Sequence, residues 1–319
     1  GQRLYFASGR QLSVSFGGQS ATLNGALPTG FLELNQDNLD DTASKLTALA
    51  WIKNRDATDN NMLANRIRGP QFITNSNSNS TGETTNTNAI QRFLQRGVQV
   101  GNDVAVNTEN ESFVLWQWLM GDSATTGSTT NPAGSIASST IVSDANHMSI
   151  GTFTGTGSNG TVGHGLSAAP EAFVVFNPIV DVRFKMFFHK DQNASPASGY
   201  IHLESTEAFQ ADATVFNSTV PTATVFSVGS INENTKLNTF ITWRSIPGVC
   251  HVGSYIGNGN ADGPHINLGF KPAFFLQKKT SGTASWYIHD SKRNPVNVVN
   301  KHLRPSTSAV ESTFTAMDF

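Results

Sequence analysis

The sequence predicts an all-β chain of tandem β-sandwich-like repeat modules with few short helices. Three observations carry that prediction. Apolar residues alternate with a period of two, one stretch recurs at a fixed shift of 102 residues, and charged residues make up only 14% of the 319. Successive side chains of a strand point to opposite faces, so period-two alternation marks a strand with one buried face.

The alternation begins at once, with Leu4 and Phe6, then Leu12, Val14 and Phe16. Further along, short apolar runs lie at 174–176, 187–188, 225–228 and 274–276, each bounded by Gly, Pro, Asn or Ser. Runs of that length and punctuation fit strands buried between two layers. The best helix candidate spans 89–96, where Ile90, Phe93 and Leu94 would share a face and Gly97 would end the turn. The alternating strand–helix pattern of a parallel-sheet enzyme does not occur.

The repeat is gapless from 150–176 to 252–278. Gly151, Gly155, Gly157, Leu166, Pro170 and Phe173 fall on Gly253, Gly257, Gly259, Leu268, Pro272 and Phe275. In physical terms, a strand runs into a Gly-rich turn, a second strand follows, and a proline opens a buried strand, where its missing N–H does least harm. With a small gap, 187–190 matches 287–290, which sets His189 on His289. An earlier copy is visible where 51–54 resembles 275–278, 98–101 resembles 226–229, and 113–116 resembles 240–243. These matches predict a first β module at 43–122, a polar linker at 123–146, a second module at 147–249, and a third, incomplete module at 250–319. Residues 1–42 read as the closing strands of a separate, incomplete sandwich. The polar, apolar-poor stretch 74–88 reads as a mobile loop.

Composition excludes several function classes. A formal net charge of −2 gives no field to steer nucleic acid, and no basic stripe is present. No apolar run is long enough to span a bilayer, so membrane insertion is not expected. The 21 Phe and 5 Trp supply enough apolar area for ordered cores despite the Asn, Ser and Thr content. The lone Cys250 cannot form an intrachain disulfide and reads as a small buried hydrophobe beside Val249 and Val252. The first residue is Gly and the chain ends on what looks like a strand just begun, which reads as a piece of a longer polypeptide.

At 153–177 (FTGTGSNGTVGHGLSAAPEAFVVFN), 218–230 (STVPTATVFSVGS), 252–280 and 286–303 the chain resembles a repeated β module of marine and cyanobacterial phage proteins, virion structural or tail fibre components. Residues 12–39 resemble the C-terminal end of a SPRY-like, lectin-type sandwich that often precedes the module. The resemblance covers most of residues 11–317. It implies a virion setting, assembly with copies of itself and with other virion proteins, and host attachment; it implies no catalytic residue. The assembly expected from it is a homotrimer. Alternatives are a glycan-binding adhesin outside a virion and a polysaccharide depolymerase.

No residue set reads as a catalytic, cofactor or metal site. Residues 155–160 match G-x-G-x-x-G, but no helical stripe follows, so a turn between strands is the better reading. His189 and His289 recur at matching places and read as packing residues. His164, His251, His265 and His302 lack metal-ligand spacing. The stretch 258–263 has one carboxylate, Asp262, and lacks the closing Glu of a calcium loop. Glu204, Glu207 and Asp212 are the closest-spaced acids in the second module and read as solvated loop charges. Trp51, Trp116, Trp243 and Trp286 read as core, with Trp118 on the strand face of Trp116. Receptor-binding specificity is expected where the copies differ, at 74–88, 121–143 and 192–198.

Overall fold

The computed structural model describes residues 46–79, 82–94, 97–120, 129–177 and 185–319. The expected SPRY-like segment, 1–42, lies outside them. Among the described residues the chain is nearly all β, in antiparallel sheets.

In the first unit, β1 (Thr47–Asn54), β2 (Met62–Asn65), β3 (Gly69–Asn75) and β4 (Glu83–Thr85) form a meander. β5 (Ile90–Leu94) and β6 (Gly97–Val100) form a hairpin, a one-turn helix α1 (Val104–Asn107) follows, and β7 (Phe113–Leu119) returns beside β1. The sheet order is β4-β3-β2-β1-β7. Asp103 starts α1 by accepting the Ala105 N–H at 2.9 Å, an N-cap bond.

The second unit is larger. β8 (Thr129–Asn131), β9 (Ser138–Val142), β10 (Met148–Thr154), β12 (Ala172–Phe176), β13 (Lys185–His189), β14 (Gly199–His202), β15 (Gln210–Ala211) and β17 (Leu237–Trp243) form one sheet, ordered β15-β14-β13-β12-β17-β10-β9-β8. β11 (Gly160–Gly163) and β16 (Val225–Val228) form a separate two-stranded layer. The stretch β15-β14-β13-β12-β17 has the same chain order and the same neighbours as β4-β3-β2-β1-β7. The third unit contributes β18 (Phe274–Gln277), β19 (Tyr287–Asp290), β20 (Val299–His302) and β21 (Ser312–Met317). Its two hairpins are bridged through Ile288 and Leu303.

Each of the first two sheets is covered by its own small layer. Phe153, Phe173, Phe188 and Phe240 pack under β11 and β16, against Val162, Phe226 and Val228. Phe173 stacks on Phe188 at 4.9 Å and meets Phe226 at 4.8 Å. In the first unit, Ala50, Ile52 and Leu115 pack against Ile90, Phe93, Ala105 and Val106. The opposite faces of both sheets meet each other and the third unit.

Four expectations need correction. The helix expected at 89–96 is a strand where it is described. The β5–β6 ladder shifts register between Ile90 and Arg92, so an extra residue sits in the strand. That bulge puts Ile90 and Phe93 on one face at helix-like spacing. The linker expected at 123–146 contains β8 and β9, because Ile136 and Ile141 are buried and Thr140 lies opposite Gly151; its first residues, 123–128, lie outside the described residues. The stretch 74–88 ends β3 and includes β4, and its Ser76 is fully buried, donating to the Pro305 carbonyl at 2.7 Å.

The fourth correction concerns the repeat frame. Phe173 lies opposite Phe188, and Phe275 lies opposite His289. His289 therefore takes the place of Phe188, and Asp290 that of His189. A one-residue slip moves a side chain to the other face, so His189 is half-buried while His289 is fully enclosed. Trp51 likewise lies on the face of Phe274 and Leu276, not of Phe275. Finally, Trp118 rather than Trp116 takes the place of Trp243. In that frame the left-handed turn residues Asn110 and Thr235, both at φ 64°, coincide.

The repeated glycines differ in surroundings. Gly157 and Gly259 both have φ near +75° (+75° and +73°), a conformation that favours glycine. A Cβ on Gly151 would collide with the Phe240 ring, whereas at the matching Gly253 only the His251 ring is near. Gly151→Val is therefore expected to cost about 1–3 kcal/mol by overpacking, and Gly253→Val to leave stability unchanged. Urea unfolding of the two variants checks this.

Candidate functional site: the seam between the units

All five tryptophans gather where the three units meet. Trp51, Trp116 and Trp286 are buried there with Ile150, Val174, Phe187, Ile241, Ile288 and Leu303, and Trp118, Trp243 and Phe274 pack against them half-buried. Trp116 meets Trp51 edge-on at 5.9 Å and Phe274 at 5.8 Å; Trp118 meets Phe274 at 5.4 Å. Trp286 packs on Phe187 at 5.0 Å and donates its N–H to the His202 carbonyl at 2.8 Å. The core reading of the tryptophans thus holds. Between Trp51, Trp118 and Trp243 a void of about 20 Å³ remains, roughly the room one water needs and far below a ligand pocket.

A charge network ties the first unit to the third at the seam's edge. Arg293 is buried and donates from Nε to Asp290 Oδ2 at 2.6 Å and from Nη1 to Glu311 Oε2 at 3.0 Å. Asp290 also accepts the Trp116 indole N–H at 3.2 Å, and the Arg293 guanidinium lies over the Trp116 ring at 5.6 Å. Arg55 holds Glu311 with two bonds, 2.7 and 2.9 Å. The backbone joins in: the Glu311 N–H donates to the Arg55 carbonyl at 2.9 Å. Asn61 adds bonds to the carbonyls of Arg304 and Thr307. Burial raises the Glu311 pKa, but the bonds from Arg55 and the charge of Arg293 outweigh it and hold the carboxyl below its ordinary range.

Two buried lysines mark the same region. Lys53 donates to the carbonyls of Asn54 and Ala57 at 2.6 and 3.0 Å; Lys185 donates to the Ser78 carbonyl at 2.6 Å, joining the second unit to the first. Burial pulls both ammonium groups down to about 8. The third unit buries a histidine pair under Phe314. The His302 ring lies 4.3 Å from Phe314 and 6.1 Å from the His289 ring. Burial, with Arg293 and the neighbouring imidazole, lowers His289 to about 4; burial and Arg304 lower His302 to about 4.

The other candidates do not converge. Glu204 is buried rather than solvated: its Oε1 lies 3.2 Å from His202 Nδ1, and the exposed Glu207 lies 3.6 Å from His202 Nε2. Asp212 instead accepts the Thr214 N–H in a surface turn. Residues 155–159 form the turn between β10 and β11, and Gly160 opens β11. His164 is fully buried, accepting the Leu166 N–H at Nδ1; His251 and His265 are exposed. Cys250 is half-buried, and burial pushes its thiol up to about 11, so it is inert as a nucleophile at neutral pH. In 192–198, Gln192 is buried and braces its own loop through the Pro196 and Gly199 carbonyls. Among the described residues no three His, Cys, Asp or Glu side chains form a metal-binding group, and no helix is long and apolar enough to cross a membrane.

Residues 40–319 match a family described as a domain of unknown function, DUF7483. The chain belongs to this family. The DUF7483 match takes in all three units together, in keeping with their common seam. No curated protein and no solved structure matches the chain. The charge network left no local pattern along the chain, because its members are 18 to 256 residues apart, except for Asp290 and Arg293.

Removing one partner of a buried pair strands the other. Arg293→Met is expected to cost about 3–5 kcal/mol, while Lys190→Ala, which removes an exposed pair with Asp191, costs about 0–1 kcal/mol. Acid acts through the histidines first. Their folded pKa values lie below the ordinary 6.5, so the unfolded chain binds more protons between pH 6.5 and about 4, and stability falls as pH is lowered through that window. Below pH 4.5, protonation of Glu311 removes a further contribution. Thermal melts of the wild type and His289→Gln, with the variant showing the shallower slope between pH 6.5 and 4, check the assignment.

Proposed function

We propose that the chain is a structural protein of a bacteriophage particle, a tail fibre or similar appendage that acts by assembly and host attachment. The observation that carries this reading is the same five-strand order built twice and joined with a third unit through one tryptophan-lined core. Such a frame is rigid along its length and offers its loops, rather than a pocket, to other molecules. The nearly neutral surface suits close packing of like copies, since little charge repulsion opposes it. The resemblance of residues 153–177, 218–230, 252–280 and 286–303 to phage virion modules supplies the setting. Partners on this reading are copies of itself, as a homotrimer, other virion proteins, and a host surface glycan.

Sedimentation equilibrium of the purified chain tests it. A defined oligomer, a trimer, is expected at micromolar concentrations, and the oligomer should compete with the particle for adsorption to host cells. A chain that stays monomeric at every concentration overturns the reading. Glycan binding by a chain that never assembles would favour the free-standing adhesin instead.

A further inference from the structure

Asparagine is followed directly by glycine at Asn24, Asn159 and Asn258. Such a step carries its own reactants. The backbone nitrogen after the asparagine can reach the side-chain carbonyl carbon, and glycine, which has no Cβ, lets the chain bend to that approach. Asn24 lies outside the described residues. The other two steps lie in the Gly-rich turn that the second and third units share, yet their surroundings are opposite.

Gly160 opens β11 and lies opposite Val228 in the β11–β16 ladder. A Cβ there would meet the Ile136 side chain at 2.7 Å. Asn159 itself donates from Nδ2 to Asn217 Oδ1 at 2.7 Å. To bend back onto Asn159, Gly160 must leave its sheet. Gly259 has no such ties. It lies in the stretch 251–273, which contains no strand, and residues 257–263 are all exposed. Among the described residues no hydrogen bond holds the Gly259 N–H. Nothing lies within 4 Å of the place its Cβ would take.

The Asn258 side chain is held over this turn. Its Nδ2 donates to the Asp262 carbonyl at 2.9 Å, and its Oδ1 accepts the Asn260 N–H at 3.0 Å. The second bond bears on reactivity. It draws electron density from Cγ, and it meets the negative charge that Oδ1 takes on when Cγ is attacked, as a positioned N–H does for an oxyanion.

We propose that Asn258 is a self-modifying site, which the folded chain converts to aspartate and isoaspartate while Asn159 is preserved. The Gly259 nitrogen gives up its proton to solvent base and attacks Cγ of Asn258. The new N–Cγ bond closes a five-membered succinimide; the Cγ–Nδ2 bond breaks, and Nδ2 takes a proton from water and leaves as ammonia. A water molecule then opens the ring. Attack at Cγ gives aspartate, and attack at the backbone carbonyl gives isoaspartate, whose main chain runs through the side-chain carbon. Either product adds one negative charge to a chain of formal net charge −2, in the same turn as Asp262. The inference is independent of the assembly reading.

The test incubates the purified full chain in mildly alkaline buffer and follows peptides from it by mass spectrometry. The peptide containing Asn258 should gain the mass difference between an amide and an acid. It should also split into two chromatographic forms, one of them a substrate for isoaspartyl methyltransferase. The Asn159 peptide should convert at least about tenfold more slowly, because Gly160 must first open from its ladder. In concentrated urea that difference should vanish. Gly259→Leu, whose side chain crowds the approach, should slow conversion at position 258 at least about tenfold. Equal rates at the two asparagines in the folded chain, or an unchanged Asn258 peptide, overturn the inference. So does full-rate conversion in Gly259→Leu.

Discussion

A sheet that is apolar on both faces has to be covered twice, and the rest of this structure depends on that constraint. Every residue of β12 is buried, and so is every residue of β1. In β12, Phe173 and Val175 turn toward the small layer of their own unit, while Ala172, Val174 and Phe176 turn the other way. A small layer covers only the first of these faces. The second is satisfied by another unit, and the tryptophans stand at that place because they fill wide gaps between sheets with few side chains. A unit taken from the chain would expose this face, so the seam is a condition of the fold.

Apolar burial drives the units together without specifying how they align. Directed bonds do that. Arg293 reaches Asp290 and Glu311 on its own unit, Glu311 is gripped by Arg55, and the Trp116 indole points at Asp290. Burying such charges is expensive, and the stabilisation left over is small when every bond is made. A sliding of one sheet over the other by a single residue would break several of these bonds at once. The apolar seam supplies the drive and the charge network the alignment.

The fold class was legible because alternation and repetition are local properties of a chain. Apolar runs marked β12, β13, β16 and β18, the repeat matches marked β10 and β17, and the shift of 102 residues matched the proline-led strands β12 and β18. What failed was local too. The Ile90–Phe93 spacing of a bulged strand is identical to that of a helix turn, and nothing in eight residues distinguishes them. The Ser- and Thr-rich β8 and β9 read as linker because their faces are polar, and only their neighbours make them strands. Matching His189 to His289 by identity missed the face inversion, which shows only in strand pairing. The seam itself was half legible: four tryptophans read as core, with Trp118 on the face of Trp116, but nothing showed that they share one, and the buried Glu204 and His302 carried no mark of their surroundings.

The bonds between Arg55 and Glu311 have a consequence for how the chain acquires its shape. They join residues 256 positions apart. Contacts of such separation form late, because the entropy of closing the intervening loop is lost before the contact repays it. On a ribosome the first unit emerges long before its partner exists, with the outer face of β1 and the indole of Trp116 still uncovered. That interval is when wrong pairings between chains are easiest. The scarcity of charge that suits the finished frame to close packing also leaves the growing chain little repulsion to keep its neighbours away.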